Sequence, residues 1–221
     1  MTLDADLLRQ ARRKLYTGVI SDVLDSLGCP EHTMKPNLRP LDEGLVLCGP
    51  ARTAQYMEVF HIRKGENPYE LEIALVDDLK PGEVAVMACP NPARIGPWGE
   101  LLSTTARARK AAGCVTDGLV RDVKLIRAMK FPVFAGGIGP LDSKGRGMVM
   151  KIDVPVVCGG ARVAPGDYIF GDVDGICVIP KKLAAKTFKL SLKKVAAENT
   201  VRKELERGDK LAEVFKRHGI L

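Results

Sequence analysis

The apolar and polar positions divide the chain into short segments of alternating period. Residues 4–15 place leucines and alanine at helical spacing among charges, which predicts a helix. A second helix is expected over VISDVLDSLG, with Thr17 as its cap and Gly28 near its end. The run CPEHTMKPNLRPL is polar and proline-rich and reads as a long loop. GLVLCGPARTAQYMEV alternates like a strand, broken by a Gly-Pro turn. LEIALVDDLK reads as a helix stopped by Pro81, and PGEVAVMAC as a turn and a strand. NPARIGPWG is a loop, and ELLSTTARARKAA a helix with small and apolar residues on one face.

GCVTDG then reads as a strand and a turn, KLIRAMK as a helix and FPVFAGG as a strand. After the polar turn DSKGRG come MVMKIDVPVV and ARVAPGDYIFGDVDGICVIP, both strand-rich with Gly-Asp and Asp-Gly turns. Residues 181–221 are helical and strongly charged, broken once at Gly208-Asp209. The order of elements predicts one α/β domain of mixed strands with helical extensions at both ends.

Composition narrows the class. The 221 residues are 46% hydrophobic and 28% charged, as in a globular protein with a real core. No apolar run approaches the roughly 20 residues of a membrane helix, and the N-terminus lacks an apolar signal core. A cytoplasmic protein without a membrane partner is expected. The six cysteines show no CxxC spacing, and the three histidines are far apart, which argues against a zinc site. The net charge of +7 raises nucleic acid as a partner. Most of the basic residues sit in amphipathic helices, and aromatics are only 5%, so the charge reads as solvated faces and no nucleic-acid partner is expected.

Two stretches carry chemistry. In GPWGELLST, glycines precede a helix start, where free backbone N–H groups suit a carboxylate or phosphate. Its plain structural reading is a helix start favoured by Glu100. In TDGLVRDV, Arg121 offers a fork for a carboxylate and Asp122 a ligand for a hard divalent cation. Its plain reading is a helix cap at Asp122 beside a solvated Arg121. Asp117 either orients Arg121 by a charge-assisted hydrogen bond or opens an Asp-Gly turn. Asp167, Asp172 and Asp174 read as turns between strands, not as a metal cluster.

The ordered set of GELL at 99–102, VTDGLVRDV at 115–123, FPVFAGG at 131–137 and CGGARVAPGDYIFGDVDGICVIP at 158–180 resembles the RraA-like family. That family holds the class II 4-hydroxy-4-methyl-2-oxoglutarate aldolases and the regulators of ribonuclease E. The resemblance implies a swivelling β/β/α domain over 1–221, with a core of about 15–180 and a helical extension over 181–221. It implies that Gly99, Glu100, Leu101, Leu102 and Arg121 bind a 2-keto acid and that Asp122 holds Mg²⁺ or Mn²⁺, largely through waters. Glu100 stands where many aldolases have aspartate. Glu198, with Glu204 as second choice, is the C-terminal acid expected to reach a neighbouring site. The resemblance further implies a homotrimer or homohexamer, cleavage to a pyruvate enolate, and oxaloacetate decarboxylation as a side activity. The alternative is a non-catalytic regulator that binds and inhibits ribonuclease E. The long C-terminal extension and basic charge favour the enzyme.

Overall fold

A computed structural model describes residues 3–220. Two helices come first, α1 (Ala5–Lys14) and α2 (Thr17–Ser26), followed by the loop expected from its prolines. That loop carries only a two-residue strand, β1 (Arg39–Pro40). β2 (Leu47–Glu58) is the long strand of the fold. Next come α3 (Glu70–Asp77), β3 (Val84–Ala88), α4 (Glu100–Ala108), β4 (Gly113–Val120), α5 (Val123–Ala128) and β5 (Val133–Ile138). β6 (Gly147–Ile152), the hairpin β7 (Val156–Cys158) and β8 (Ala161–Val163), and the hairpin β9 (Tyr168–Asp172) and β10 (Gly175–Ile179) follow. α6 (Ala184–Glu206) and α7 (Leu211–His218) end the chain.

The main sheet runs β1-β5-β4-β3-β2-β9-β10, with β6 also on β2. β2, β3, β4 and β5 are parallel, joined by helical crossovers. β2 serves two partners along its other edge: β9 takes 47–50 and β6 takes 54–58. The strand therefore passes unbroken through Gly49-Pro50, where a turn was expected. Parallel pairing with β3 begins only at Ala51, so Pro50 withholds no N–H from that ladder. Gly49 answers to a close approach instead: a Cβ there would stand 2.0 Å from the carbonyl oxygen of Gly82.

Three apolar clusters follow from this order. One lies under α3, α4 and α5 and includes Leu75, Met87, Trp98 and Val120. A second lies on the other face under the β7–β8 hairpin, with Val86, Val115 and Phe134. The third joins α1, α2 and α6 to the β9–β10 hairpin through Ile20, Phe170 and Phe188. The C-terminal extension is thus packed onto the core. Among the described residues no helix is long and apolar enough to cross a membrane.

Thr17 does not cap α2. Tyr16 holds the cap position without a side-chain bond. The Thr17 N–H and hydroxyl instead donate to Asp172 at 2.8 and 2.6 Å, and Asp174 N–H donates to it at 3.0 Å. A buried carboxylate that accepts several bonds at a helix start is a stronger partner than a threonine hydroxyl. Asp172→Ala strands two buried donors and should cost about 3 kcal/mol. A urea midpoint shift with unchanged slope reads this directly. A loss below about 1 kcal/mol would show that Asp172 does not tie α2 to the sheet.

Candidate active site in the cleft between α3, α4 and α5

β4 is regular up to Thr116 and then bulges. Its partners on β5 pass from Ala135 to Gly137 while β4 advances from Thr116 to Leu119. Asp117 and Gly118 fill the bulge. Each neighbour is tight: a Cβ on Gly136 would lie 2.1 Å from the Asp117 carbonyl oxygen, and one on Gly118 2.8 Å from that of Ile95. Beyond the bulge β4 pairs with the loop that leads into α4. Leu119 N–H donates to Ile95 O at 2.9 Å, and Arg121 N–H to Trp98 O at 3.1 Å. The GELL and RD stretches are thereby brought side by side.

Asp122 stands at the head of α5 with φ 59°, in the left-handed region that aspartate tolerates better than most residues. It makes no side-chain bond to α5. The plain reading of a helix cap therefore fails: the backbone twist carries the carboxylate back to α4, where Oδ2 accepts the Glu100 N–H at 3.3 Å. Gly99 leaves room for this, since a Cβ there would lie 2.9 Å from Asp122 Oδ2 and 3.2 Å from Arg121 Cγ. The first turn of α4 thus receives a carboxylate from within the chain. The N–H groups of Leu101 and Leu102 keep no acceptor among the described residues, and both residues line the cleft. The Glu100 side chain lies along its own helix and accepts the Thr104 hydroxyl at 2.7 Å.

The Arg121 guanidinium lies between two acids without hydrogen-bonding to either. Its Nε is 3.8 Å from Asp122 Oδ2 and its Nη1 3.7 Å from Asp142 Oδ2. Asp142 belongs to the segment read from sequence as a polar turn. It accepts the Tyr69 hydroxyl at 2.6 Å and the Ser143 N–H at 2.7 Å. Burial pulls the Asp142 carboxyl upward, but the Tyr69 hydroxyl and the Arg121 guanidinium outweigh it and hold it below its ordinary value. Burial, with Asp142 beside it, pushes the Tyr69 hydroxyl up to about 12.

Glu72 closes the inner side of the cleft. It is 6% exposed, and it accepts the Tyr56 hydroxyl at 2.5 Å and the Ser143 hydroxyl at 3.3 Å. Burial raises its carboxyl from 4.5 to about 7, against the opposing pull of those two bonds. The cleft, of about 410 Å³, is lined by Tyr69, Glu72, Trp98, residues 99–102, Arg121, Asp122 and Asp142. Trp98 is buried and donates its Nε1–H to Ser103 Oγ at 2.8 Å.

Asp117 does not orient Arg121. It accepts Cys89 N–H at 2.8 Å and Gly159 N–H at 2.9 Å, and burial raises its carboxyl against the pull of these bonds. Asp167 and Asp172 bind backbone N–H groups, as turn aspartates do. Glu198 does not line the cleft of its own chain; it sits on α6 and accepts the Tyr16 hydroxyl. Glu204 pairs with Arg217 and His218. Tyr69, Glu72 and Asp142 escaped the sequence reading. Glu72 had left a signal: it shares the face of α3 with Leu75 and Val76, and Leu79 follows at the same spacing just past the helix, an acid among apolar residues.

No three His, Cys, Asp or Glu side chains converge as a metal cage among the described residues. Asp122 nonetheless fits a hard cation that keeps its waters: only Oδ2 is engaged, and Oδ1 accepts no hydrogen bond from a described residue.

With this geometry in hand, comparison with known proteins decides the family. The family model for RraA-like proteins, described as Aldolase/RraA, matches residues 17–178. The chain belongs to the RraA-like family. A Halalkalibacterium halodurans protein named "Putative 4-hydroxy-4-methyl-2-oxoglutarate aldolase" is 34% identical over 184 residues, 83% of this chain and 81% of that protein. Two solved structures share the RraA-like fold. A Pseudomonas syringae protein superposes with a TM-score of 0.84 at 26% identity over 97% of this chain and 98% of that one. RraAS2 of Streptomyces coelicolor, titled an unusual member of the RNase ES inhibitor RraA protein family, superposes at 0.80 and 27% identity over 91% and 98%. The swivelling α/β core with helical extensions is thus the family's fold.

The buried acid has a measurable consequence. Glu72 holds a proton in the folded RraA-like domain between about pH 4.5 and about pH 7, where the unfolded chain has released it. Its contribution to stability is therefore full below about 4.5 and falls as pH rises through about 7. Glu72→Gln should gain stability relative to wild type across that window, by up to about 3 kcal/mol. Urea midpoints of both proteins at acid and alkaline ends of the window test this. A constant difference between them would contradict a raised Glu72.

Proposed function

We propose that this protein is a divalent-metal-dependent class II aldolase that cleaves a 4-hydroxy-2-keto acid, such as 4-hydroxy-4-methyl-2-oxoglutarate, to pyruvate and a second keto product. The observation that carries this reading is the Arg121 guanidinium, half-exposed in the cleft and without a hydrogen bond to any described residue. Such a fork stands ready for a planar carboxylate. The free N–H groups of Leu101 and Leu102 add donors at the positive end of α4. The aldolase name of the Halalkalibacterium relative supports the same reaction class.

Asp122 would hold Mg²⁺ or Mn²⁺, with waters completing the shell. When bound, the cation supplies Lewis-acid stabilisation of the negative charge on the keto oxygen. Arg121 grips the substrate carboxylate and offsets the charge that develops as the C3–C4 bond breaks. The Leu101 and Leu102 N–H groups orient the substrate without reorganising. Glu100 keeps one carboxylate oxygen clear of Thr104, and it takes up the C4 hydroxyl proton. In a trimer or hexamer, Glu198 of the partner subunit would add an acid to this rim through the oxygen that Tyr16 leaves free. Loss of CO₂ from oxaloacetate yields the same pyruvate enolate, so decarboxylation should accompany aldol cleavage.

Pyruvate release from 4-hydroxy-4-methyl-2-oxoglutarate and from oxaloacetate should require Mg²⁺ and stop in EDTA. Asp122→Ala should lower kcat/KM by on the order of 10²-fold or more. Arg121→Lys keeps the charge and loses the fork, and should cost about 10- to 100-fold, with KM raised. No release from either substrate by folded, metal-supplied protein would overturn the aldolase reading and favour a regulator that binds ribonuclease E.

The space above Gly99 makes a second test. Gly99 is extended, with φ −156°, so alanine meets no backbone strain there. Its Cβ would instead displace Asp122 and Arg121. Gly99→Ala should lower pyruvate release at least about tenfold while the thermal midpoint moves by no more than about 3 °C. Unchanged release would mean that the Asp122 and Arg121 positions do not set the rate.

A further inference from the structure

Aldol cleavage leaves an electron pair on C3 of pyruvate, and that carbon must acquire a proton before the product departs. The groups assigned so far hold the cation, bind anions or accept protons. Glu72 and Asp142 are the lining acids they leave unused, and Asp142, held below its ordinary value beside Tyr69 and Arg121, is no proton donor. The two hydrogen bonds to Glu72, from Tyr56 and Ser143, fall on the same oxygen, Oε2. Oε1 accepts none, yet it is absent from the fully buried unpartnered atoms found among the described residues. Glu72 lines the cleft, and Oε1 is its oxygen that keeps solvent access and no hydrogen bond among the described residues. Two hydroxyl donors on Oε2 leave a proton its place on Oε1. Burial against α3's apolar neighbours keeps that proton bound near neutral pH. Asp142 stands on the same side of the cleft and adds to the effect, while Arg121 opposes it.

On the aldolase reading, we propose that Glu72 is the acid that delivers a proton from Oε1 to C3 of the pyruvate enolate. The steps balance. A base takes the C4 hydroxyl proton, the C3–C4 bond breaks with its electron pair left on C3, and the C4 oxygen becomes the carbonyl of the second product. The Glu72 O–H bond then breaks, its proton forms the new C–H bond of the methyl group, and Glu72 is left as a carboxylate. Solvent returns one proton to Glu72 and removes one from the base. Tyr56 and Ser143 are positioning residues here: their bonds to Oε2 set which oxygen carries the proton and steady the carboxylate after it has left.

The reverse of the last step is directly observable. With Mg²⁺ in D₂O, the wild-type protein should wash the methyl protons of pyruvate out of the proton NMR spectrum. Glu72→Gln should slow this exchange by on the order of 10²-fold, while oxalate, a planar mimic of the enolate, binds within about threefold of wild type by calorimetry. A merely structural role would move both readouts together. Tyr56→Phe removes a bond that favours the carboxylate, so it should retain exchange and move its pH inflection upward. That variant also decides the matter if Glu72→Gln does not fold. Exchange by Glu72→Gln within about twofold of wild type, or an unmoved inflection in Tyr56→Phe, would overturn the proposal while wild-type cleavage leaves the aldolase reading intact. A wild type that neither cleaves the 4-hydroxy-2-keto acid nor exchanges pyruvate protons would overturn both.

Discussion

The cleft depends on where β4 changes partners. For its first half β4 pairs with β3, from Gly113 to Thr116. At the bulge the Asp117 side chain takes the Cys89 N–H, just past the end of β3, and on its other oxygen the Gly159 N–H. A carboxylate thus replaces the backbone acceptor that continued pairing would have given, and it satisfies two donors in a part-buried place. Freed from β3, the second half of β4 takes up the loop at Ile95 and Trp98. The α4 N-terminus and the Arg121-Asp122 pair are brought side by side by this change of partner. Asp117 therefore shapes the cleft through the backbone it pins and not through a bond to Arg121.

The same detail explains what the sequence could and could not reveal. Helical and strand periods located most elements, because packing rewards one apolar face and that reward is written as spacing. The Gly49-Pro50 break and the Thr17 cap failed for a common cause. Both were local readings overruled by a remote partner, the Gly82 backbone in one place and Asp172 in the other. GELL and RD were legible as an anion-binding helix start and an Arg-Asp pair, but their meeting rests on a bulge that no local period encodes. Asp142 was invisible because nothing in LDSKGRG separates an acid that faces a cleft from one that faces solvent. Glu72 was legible in principle: an acid in register with Leu75, Val76 and Leu79 has to be buried, and a buried acid demands an account.

That account is electrostatic. A carboxylate forced into an apolar face destabilises the fold at neutral pH unless it is held neutral or paired. Among the described residues Glu72 has hydroxyls for partners and no cation in contact, so it remains an acid of intermediate strength instead of an ion pair. Asp142, one residue before Ser143, has the opposite environment, a tyrosine hydroxyl and a guanidinium, and is held ionised. Two acids linked through neighbouring residues are thereby driven apart in strength, the pattern expected where one group must stay charged and another must carry a proton.

The charge of the cleft is opposite to that of the molecule. The protein as a whole carries a net +7. Beside Glu72, which keeps its proton, the cleft is lined by Glu100, Asp122 and Asp142, with Arg121 as the single basic residue among the described residues. A dicarboxylate substrate that entered alone would meet more negative charge than one guanidinium can offset. On the proposed reading, a divalent cation that enters with it changes the balance, since it would bring two positive charges to the side of Asp122 while Arg121 serves the substrate carboxylate. The basic surface helices raise the local concentration of anions. On that reading, the acidic cleft then selects those that arrive with a cation. On the proposed reading, substrate and metal affinity are therefore coupled by electrostatics: each lowers the cost of admitting the other, and neither is well accommodated by this arrangement of residues without its counterpart.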